Sequence, residues 1–386
     1  HRFGMDLKLE LRVEGSNKIR PWVSRPGDPR KVFAEALAYL DAPMADDSPV
    51  LPRASERFWD LVEGTGNSME QDPTLMRTLV ENVVTQEPNC AGGWATLAAL
   101  SYWQLFRKTP TLDDGGFHEC EAFFRKAFQL VPGYPRAVDD YCGFKTDLGD
   151  PREALEATFA AIKRYPRVPH LRGALAYPAR MAGLLEGATN AIRVRDQLGG
   201  THRFERDTVE NTYLYLGDWS SFERLLGASS SDRVEPSRDF YRGYIRLIQG
   251  RRDEALTHFV HAQKAKGNWI QFETLAGIYE LALTGKTEEA LQQLYQFRAE
   301  RALLKVPDGE FTFKLAEAFA FLGNKHEALE TALRAHAQGF GCTVWYERSP
   351  LLANVPREAR WNFLLQHMNE RQALMEQSFP ARRFRE

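Results

Sequence analysis

Residues 148–155 read LGDPREAL, and close variants return at 248–256 (IQGRRDEAL), 283–291 (LTGKTEEAL) and 322–329 (LGNKHEAL). Each variant consists of a glycine, three mostly polar residues and then Glu-Ala-Leu. An acidic residue suits the first turn of a helix, because it meets the positive end of the helix dipole. The segment therefore predicts a tight turn at the glycine, followed at once by a new helix.

Seven glycines mark such turns along the chain, and their spacing is nearly constant. Neighbouring members are 34, 34, 34, 33, 35 and 38 residues apart. A fixed period of about 34 residues is typical of stacked helical hairpins, which usually bind partners rather than perform chemistry. The seven are Gly115, Gly149, Gly183, Gly217, Gly250, Gly285 and Gly323.

Small side chains recur at fixed distances after these turns, where the two helices of a hairpin should cross closely. Five positions after each glycine stands a small residue, except that Phe222 follows Gly217. The other six are Cys120, Ala154, Ala188, Ala255, Ala290 and Ala328. Five of the seven residues found twelve positions after the glycine are small, in the series Ala127, Ala161, Arg195, Ser229, Ala262, Phe297 and Ala335. Pro132 and Pro166 then end two of the second helices, since proline cannot continue a helix.

These positions resemble the tetratricopeptide repeat. The segment GWATLAALSYW at 93–103 is similar to the first helix of that repeat, with Trp94, Leu97 and Ala98 in matching places. Arg195 and Phe222 depart from the pattern, and the loop after Trp94 is longer than the family's by about ten residues. The resemblance implies an all-α fold, a right-handed superhelical solenoid of about eight hairpins.

The two ends of the chain differ from the array, which we expect to cover residues 55–340. Residues 5–23 alternate apolar and polar side chains and predict a short β-hairpin, followed by a helix at 29–41, within an N-terminal unit at 1–45. Residues 341–386 form a closing segment whose helix, from about Arg357 to Ser378, caps the last hairpin.

The closing segment indicates a narrower group of repeat proteins that the chain resembles. AHAQGFGC at 335–342, ERSPLLANV at 347–355 and RWNFLL at 360–365 are similar to the end of repeat arrays in bacterial multidomain signalling proteins. In that group the repeats follow an adenylate cyclase, a Ser/Thr kinase or a winged-helix regulator. The resemblance implies that the strand pair at 5–23 is the remnant of an upstream α/β module.

Composition excludes several classes of protein. A net charge of −2 argues against nucleic-acid binding. No apolar run reaches the roughly 18–20 residues that a membrane span needs.

The chain has no signal peptide, which favours the cytoplasm over the periplasm, although a chain that opens on His1 looks truncated. The four cysteines, Cys90, Cys120, Cys142 and Cys342, are expected to be buried thiols.

No arrangement in the sequence supports catalysis or a cofactor. His258 and His261 share one helix, but a metal site needs a third ligand, so we expect no metal. There is no Gly-x-Ser-x-Gly segment, and no carboxylate pair or Cys/His arrangement is placed to support catalysis. The sequence therefore predicts a protein without catalytic residues and without cofactors.

Candidate binding residues lie on the first helix of each hairpin, which faces the groove in the resembling family. Six positions before successive turn glycines stand Gly143, Tyr177, Asn211, Tyr244, Tyr279 and Glu317. Tyrosine suits recognition because it offers apolar area and a hydroxyl group. The tyrosines either bind a partner or pack between helices. With neighbours on the same face, the candidate groove residues are Tyr177, Arg180, Asp207, Asn211, Tyr215, Tyr244 and Tyr279.

We therefore expect a non-catalytic interaction or sensing module of a bacterial signalling protein, with a peptide, protein segment or small ligand in its groove. Two alternatives remain open. The array is the regulatory arm of an enzyme whose catalytic domain lies upstream, or it is a free-standing scaffold in envelope assembly.

Overall fold

The computed structural model describes residues 8–11, 20–23, 73–107, 114–199, 210–228, 236–264 and 270–386. The chain divides into two units, His1–Val50 and Leu51–Glu386. In the first unit, strands β1 (Lys8–Leu11) and β2 (Arg20–Val23) pair antiparallel, with Lys8 opposite Val23. The turn expected between them and the helix expected at 29–41 lie outside the described residues.

The second unit is all-α in its described residues, and its helices follow one another as pairs joined by short turns. The α-helices are α1 (Pro73–Gln86), α2 (Ala91–Arg107), α3 (Asp114–Leu130), α4 (Pro135–Asp147), α5 (Pro151–Arg164), α6 (Pro169–Ala174), α7 (Ala176–Met181), α8 (Leu185–Gln197), α9 (Glu210–Leu216), α10 (Trp219–Ala228), α11 (Pro236–Ile248), α12 (Arg252–Lys264), α13 (Ile270–Leu283), α14 (Thr287–Arg301), α15 (Gly309–Phe321), α16 (Lys325–Ala337), α17 (Thr343–Arg348) and α18 (Ala359–Ser378). Two short 3-10 helices, Pro350–Leu352 and Ala381–Phe384, complete the C-terminal part.

Six of the seven predicted turn glycines end a helix in the left-handed conformation, with φ between 77° and 91°. At Gly149 its own N–H donates to the Thr146 carbonyl (3.0 Å), and the next N–H donates to the Lys145 carbonyl (2.9 Å). The same two hydrogen bonds recur at the other five glycines. This is the Schellman motif, which satisfies carbonyls at a helix end and requires a residue that tolerates positive φ. The predicted turns are confirmed at these six positions.

Gly115 is the exception. It lies inside α3, which begins at Asp114, so the prediction that it forms the turn is wrong. A glycine is tolerated there because the first N–H groups of a helix have no partner within the helix.

The predicted close crossings within the hairpins are confirmed. All seven residues five positions after the turn glycines are fully buried, including Phe222. Between α11 and α12, a Cβ added to Gly243 would lie 3.1 Å from the Ala255 carbonyl oxygen. Arg195, which stands at a small position, is buried with its Nη2 atom 2.7 Å from Asp196. Ser229 lies outside the described residues.

The expected capping helix is α18, which begins at Ala359 and ends at Ser378. One side of α18 is buried through Trp361, Leu364, Met368 and Met375. The four cysteines are all buried thiols, as predicted. Across the described helices, none combines the length and the hydrophobicity that crossing a membrane would require.

Candidate functional site: the inner polar cluster

Buried polar side chains gather around α15, a helix with the sequence GEFTFKLAEAFAF. We call Asp147, Asp308, Glu310, Lys314 and Glu317, with the side chains bonded to them, the inner polar cluster. The charged residues Glu310, Lys314 and Glu317 of α15 are spaced i, i+4 and i+7, so they share one face. All residues of α15 from Gly309 to Ala320 are buried. Because a buried charge is costly unless it is paired and hydrogen-bonded, each of these groups needs partners from other helices.

The Glu310 carboxylate is held by side chains from two other hairpins, through α7 and α9. Arg180 Nη2 donates to Oε2 (2.9 Å), while Asn211 Nδ2 (2.9 Å) and the Tyr215 hydroxyl donate to Oε1. The side chains of Arg180 and Glu310 are 0% and 6% exposed. Burial alone would raise the pKa of Glu310, but the charges of Arg180 and Lys314 outweigh it and hold that pKa below its usual value.

Lys314 lies among tyrosine rings one turn further along α15. Its Nζ is 4.8 Å from the ring centroid of Tyr244 and 5.1 Å from that of Tyr241. The same nitrogen donates to the Tyr215 hydroxyl at 3.4 Å. An ammonium group above aromatic faces is stabilised electrostatically. Burial nevertheless lowers the pKa of Lys314.

Glu317 joins α15 to the C-terminal segment. Its Oε2 accepts from the Tyr244 hydroxyl (2.6 Å), and its Oε1 accepts from Trp345 Nε1 (3.1 Å) and Ser349 Oγ (2.6 Å). Burial raises the pKa of Glu317. The carboxyl group thus fixes α17 and the residue after it against α15.

Two aspartates meet at the start of α15. The Asp308 N–H donates to the Asp147 carbonyl oxygen (3.2 Å), and the Tyr177 hydroxyl donates to Asp147 Oδ1 and lies 3.5 Å from Asp308 Oδ1. Tyr102 donates to the other Asp147 oxygen. Asp308 caps α15 by accepting from the Phe311 N–H (3.0 Å). Burial, followed by the nearby Asp308 charge, raises the pKa of Asp147 well above its usual range.

The helices that carry the candidate groove residues pack against α15, and most of the described candidate residues are buried there. The structure brings five of the seven candidate groove residues to the inner polar cluster: Tyr177, Arg180, Asn211, Tyr215 and Tyr244. Tyr279 is buried, stacks on Phe259 with ring centroids 5.0 Å apart, and its hydroxyl makes no hydrogen bond. Asp207 lies outside the described residues. A binding role for the seven stays a prediction.

Sequence reasoning missed Asp147, Asp308, Glu310 and Lys314, although it placed Glu317 on the inward face. The signal was present in α15, where three charges stand on one face of an otherwise apolar helix. Such a stripe on a helix of this composition predicts buried partners rather than a solvated face.

The arrangement neutralises buried charge and fixes helices. Each carboxyl group of the cluster (Asp147, Asp308, Glu310 and Glu317) accepts at least one hydrogen bond from a side chain or a helix N-terminus. Within the described ranges, no group of three or more His, Cys, Asp or Glu residues could hold a metal ion. The histidine His258, which the sequence analysis considered as a metal ligand, has its Nδ1 atom 3.8 Å from an Asp239 carboxylate oxygen.

Comparison with known proteins adds little to this geometry. No family model matches the chain, and no curated protein matches it. Among solved structures, the crystal structure of the P58(IPK) TPR domain is similar at 12% identity, with 83% of this chain and 99% of that chain covered and a TM-score of 0.23. A superposition this weak supports no argument. The resemblance to the tetratricopeptide repeat therefore depends on the repeat spacing and turn geometry of this chain itself.

Proposed function

We propose that the chain is a non-catalytic protein-interaction module of the tetratricopeptide type, acting within a bacterial signalling or regulatory protein. The observation that supports this most is the repetition of one turn geometry at six positions about one repeat length apart. Stacked hairpins of this kind give extended surfaces that suit a peptide or protein segment.

Binding at the inner face would be coupled to opening of the array. A partner would reach the candidate groove residues only after α15 has moved away from them. That movement separates Arg180 from Glu310 and leaves both charges without their partner, which is costly in a buried site. The apparent affinity would then be reduced by the small fraction of molecules that are open.

Affinity capture followed by reconstitution tests the interaction role. A captured protein should bind the purified chain in a saturable manner with a fixed stoichiometry, measured by calorimetry. Failure to obtain any such partner, together with a measurable turnover by the purified chain, would contradict the proposal.

A chemical bridge tests whether the partner uses the inner face. Arg152 Nη1 donates to Ser378 Oγ across α5 and α18 (3.2 Å), and all four native cysteines are buried. The double variant Arg152→Cys with Ser378→Cys can therefore be bridged selectively by a short bis-maleimide. Bridging should abolish binding at the inner face, whereas the same variant capped by a monofunctional maleimide should bind normally. Equal binding by both forms would mean that the partner uses the outer surface.

A further inference from the structure

The segment that follows α18 lies in a groove between α5, α6 and α8. Phe379 and Phe384 are 2% and 0% exposed. Both rings contact Phe159 of α5, the first stacked at 5.9 Å and the second edge-on at 5.1 Å between ring centroids. Two aromatic anchors five positions apart thus insert beside one ring of the array.

A glycine makes room for the second anchor. A Cβ added to Gly187 of α8 would lie 2.7 Å from the Phe384 ring, closer than real contacts allow. The Phe384 ring therefore rests directly on the helix backbone. Arg383, one residue earlier, lies over Phe159 and Phe379, with its guanidinium carbon 4.4 Å and 5.3 Å from the two ring centroids.

Fixed side chains of the array also hold the main chain of the segment. Asn190 Nδ2 donates to the Ala381 carbonyl oxygen (3.2 Å), and Arg172 Nη2 donates to that of Glu386 (2.9 Å). Arg385 pairs with Glu186 at the rim of the groove (3.0 Å). Side-chain donors to backbone carbonyls together with pockets for separate side chains are how grooves recognise extended peptides.

Arg172 has unused hydrogen-bonding capacity at the end of this groove. The residue is 3% exposed, and its Nε and Nη1 atoms have no hydrogen-bond partner. A buried donor without a partner is costly, and a guanidinium group pairs best with a carboxylate through two parallel hydrogen bonds. A carboxylate at the position of the Glu386 main-chain oxygen can accept from Nη2 and from one of these two donors in parallel.

We propose that this groove is a peptide-binding site that the chain's own Phe379–Glu386 segment occupies in cis. Its occupant in trans is a segment of another protein with two aromatic residues five positions apart, an arginine directly before the second, and a carboxylate two residues after it. The groove is separate from the inner face, so a negative result for this peptide site would leave the proposed interaction role untouched.

The cis segment acts as a built-in competitor. Because it is tethered to α18, its effective concentration at the groove is of millimolar order. A partner segment of the same chemistry therefore binds weakly to the resting chain and strongly once the cis segment has been released.

The test uses the full chain with its own segment released by Phe384→Asp. A fluorescent peptide of residues 378–386 with a free carboxyl end is titrated in, and anisotropy is measured. The released variant should bind this peptide at least tenfold more tightly than the wild-type chain. Adding Gly187→Leu to the released variant should abolish binding, since leucine fills the ring pocket. An amidated peptide should bind at least fivefold more weakly than the acid.

Absence of binding to a folded released variant would overturn the proposal, as would binding that Gly187→Leu leaves unchanged. Equal affinity for acid and amide would overturn the carboxylate preference. If the released variant does not fold, hydrogen exchange on the wild-type chain tests the proposal instead. Saturating peptide should speed exchange in residues 379–386, and a peptide carrying Phe384→Asp should not. Unchanged exchange with the first peptide would refute competition.

Discussion

Gly149 and Gly339 meet backbone to backbone, although they follow helices α4 and α16, which are far apart in the sequence. A Cβ on Gly339 would lie 2.5 Å from the Gly149 Cα, and a Cβ on Gly149 would lie 2.9 Å from the Gln338 carbonyl. Next to them, the Gly341 N–H donates to the Met181 carbonyl oxygen (2.6 Å). The second unit thus brings its last hairpin against its earlier ones at a point where neither side carries a side chain.

Gly339→Ala should destabilise the chain more than Gly323→Ala. Both glycines have positive φ (97° and 82°), so alanine costs about 1–2 kcal/mol at either position from the backbone alone. Nothing lies within 4 Å of a Cβ on Gly323, whereas a Cβ on Gly339 overlaps the Gly149 backbone. We expect Gly339→Ala to cost at least about 1 kcal/mol beyond the control in urea unfolding. Equal losses would show that the close approach contributes nothing to stability.

Glu310→Gln should be strongly destabilising. The substitution leaves the Arg180 and Lys314 charges buried without their carboxylate, and breaking a buried ion pair in this way costs about 3–5 kcal/mol. The matched control is Glu330→Gln, which removes the exposed pair with Arg360 and should change the free energy of unfolding little. Denaturant unfolding of both variants gives the comparison. A wild-type midpoint for Glu310→Gln would show that the buried charges are satisfied in another way.

The free energy of unfolding of Asp147→Asn should increase relative to that of the wild type as pH rises. The folded chain raises the pKa of Asp147, so it holds that proton more tightly than the unfolded chain does. The stability that this carboxyl contributes is therefore complete below about pH 4 and is lost as pH rises through the folded-state pKa. Unfolding free energies of variant and wild type should be measured between pH 4 and pH 8.

Glu310→Gln provides the comparison of opposite sign. The pKa of Glu310 is lowered in the folded chain, because Arg180 and Lys314 outweigh burial. Its contribution is present above the unfolded-state pKa and is lost as pH falls through the folded-state value. The advantage of wild type over Glu310→Gln should therefore grow as pH rises toward about 4–5 and stay constant above that, so this pair of chains is measured from about pH 3 upward. Slopes of equal sign for the two variants would contradict both assignments.

Tyr177→Ala combined with Tyr244→Ala should lower stability. Tyr244 is fully buried and donates to Glu317, and Tyr177 donates to Asp147. Truncating one buried aromatic residue costs about 3–5 kcal/mol. Tyr295→Ala is the control, because that ring is 37% exposed. A double variant that melts at the wild-type temperature would show that these tyrosines are free for a partner and do not hold the helices together.

The sequence alone predicts the hairpins because their determinants are local. A glycine that accepts positive φ ends each first helix, and an alanine five residues later lets the second helix cross closely, as Gly250 and Ala255 show. These signals lie within one repeat, so a single sequence contains them. The exception, Gly115, stands next to residues 108–113, in the loop that is about ten residues longer than the family's.

Only the tertiary structure decided where the hairpins meet. The small rotation between neighbouring hairpins adds up over several repeats, and no short segment encodes the sum. That sum places Asp308 against Asp147 and Glu310 against Arg180, and it buries the Arg180 side chain, which is one of the candidate groove residues. The sequence placed Tyr177 and Tyr244 on the inward side of their helices. The accumulated rotation determined that α15 packs against them, because contact between distant repeats depends on every angle in between.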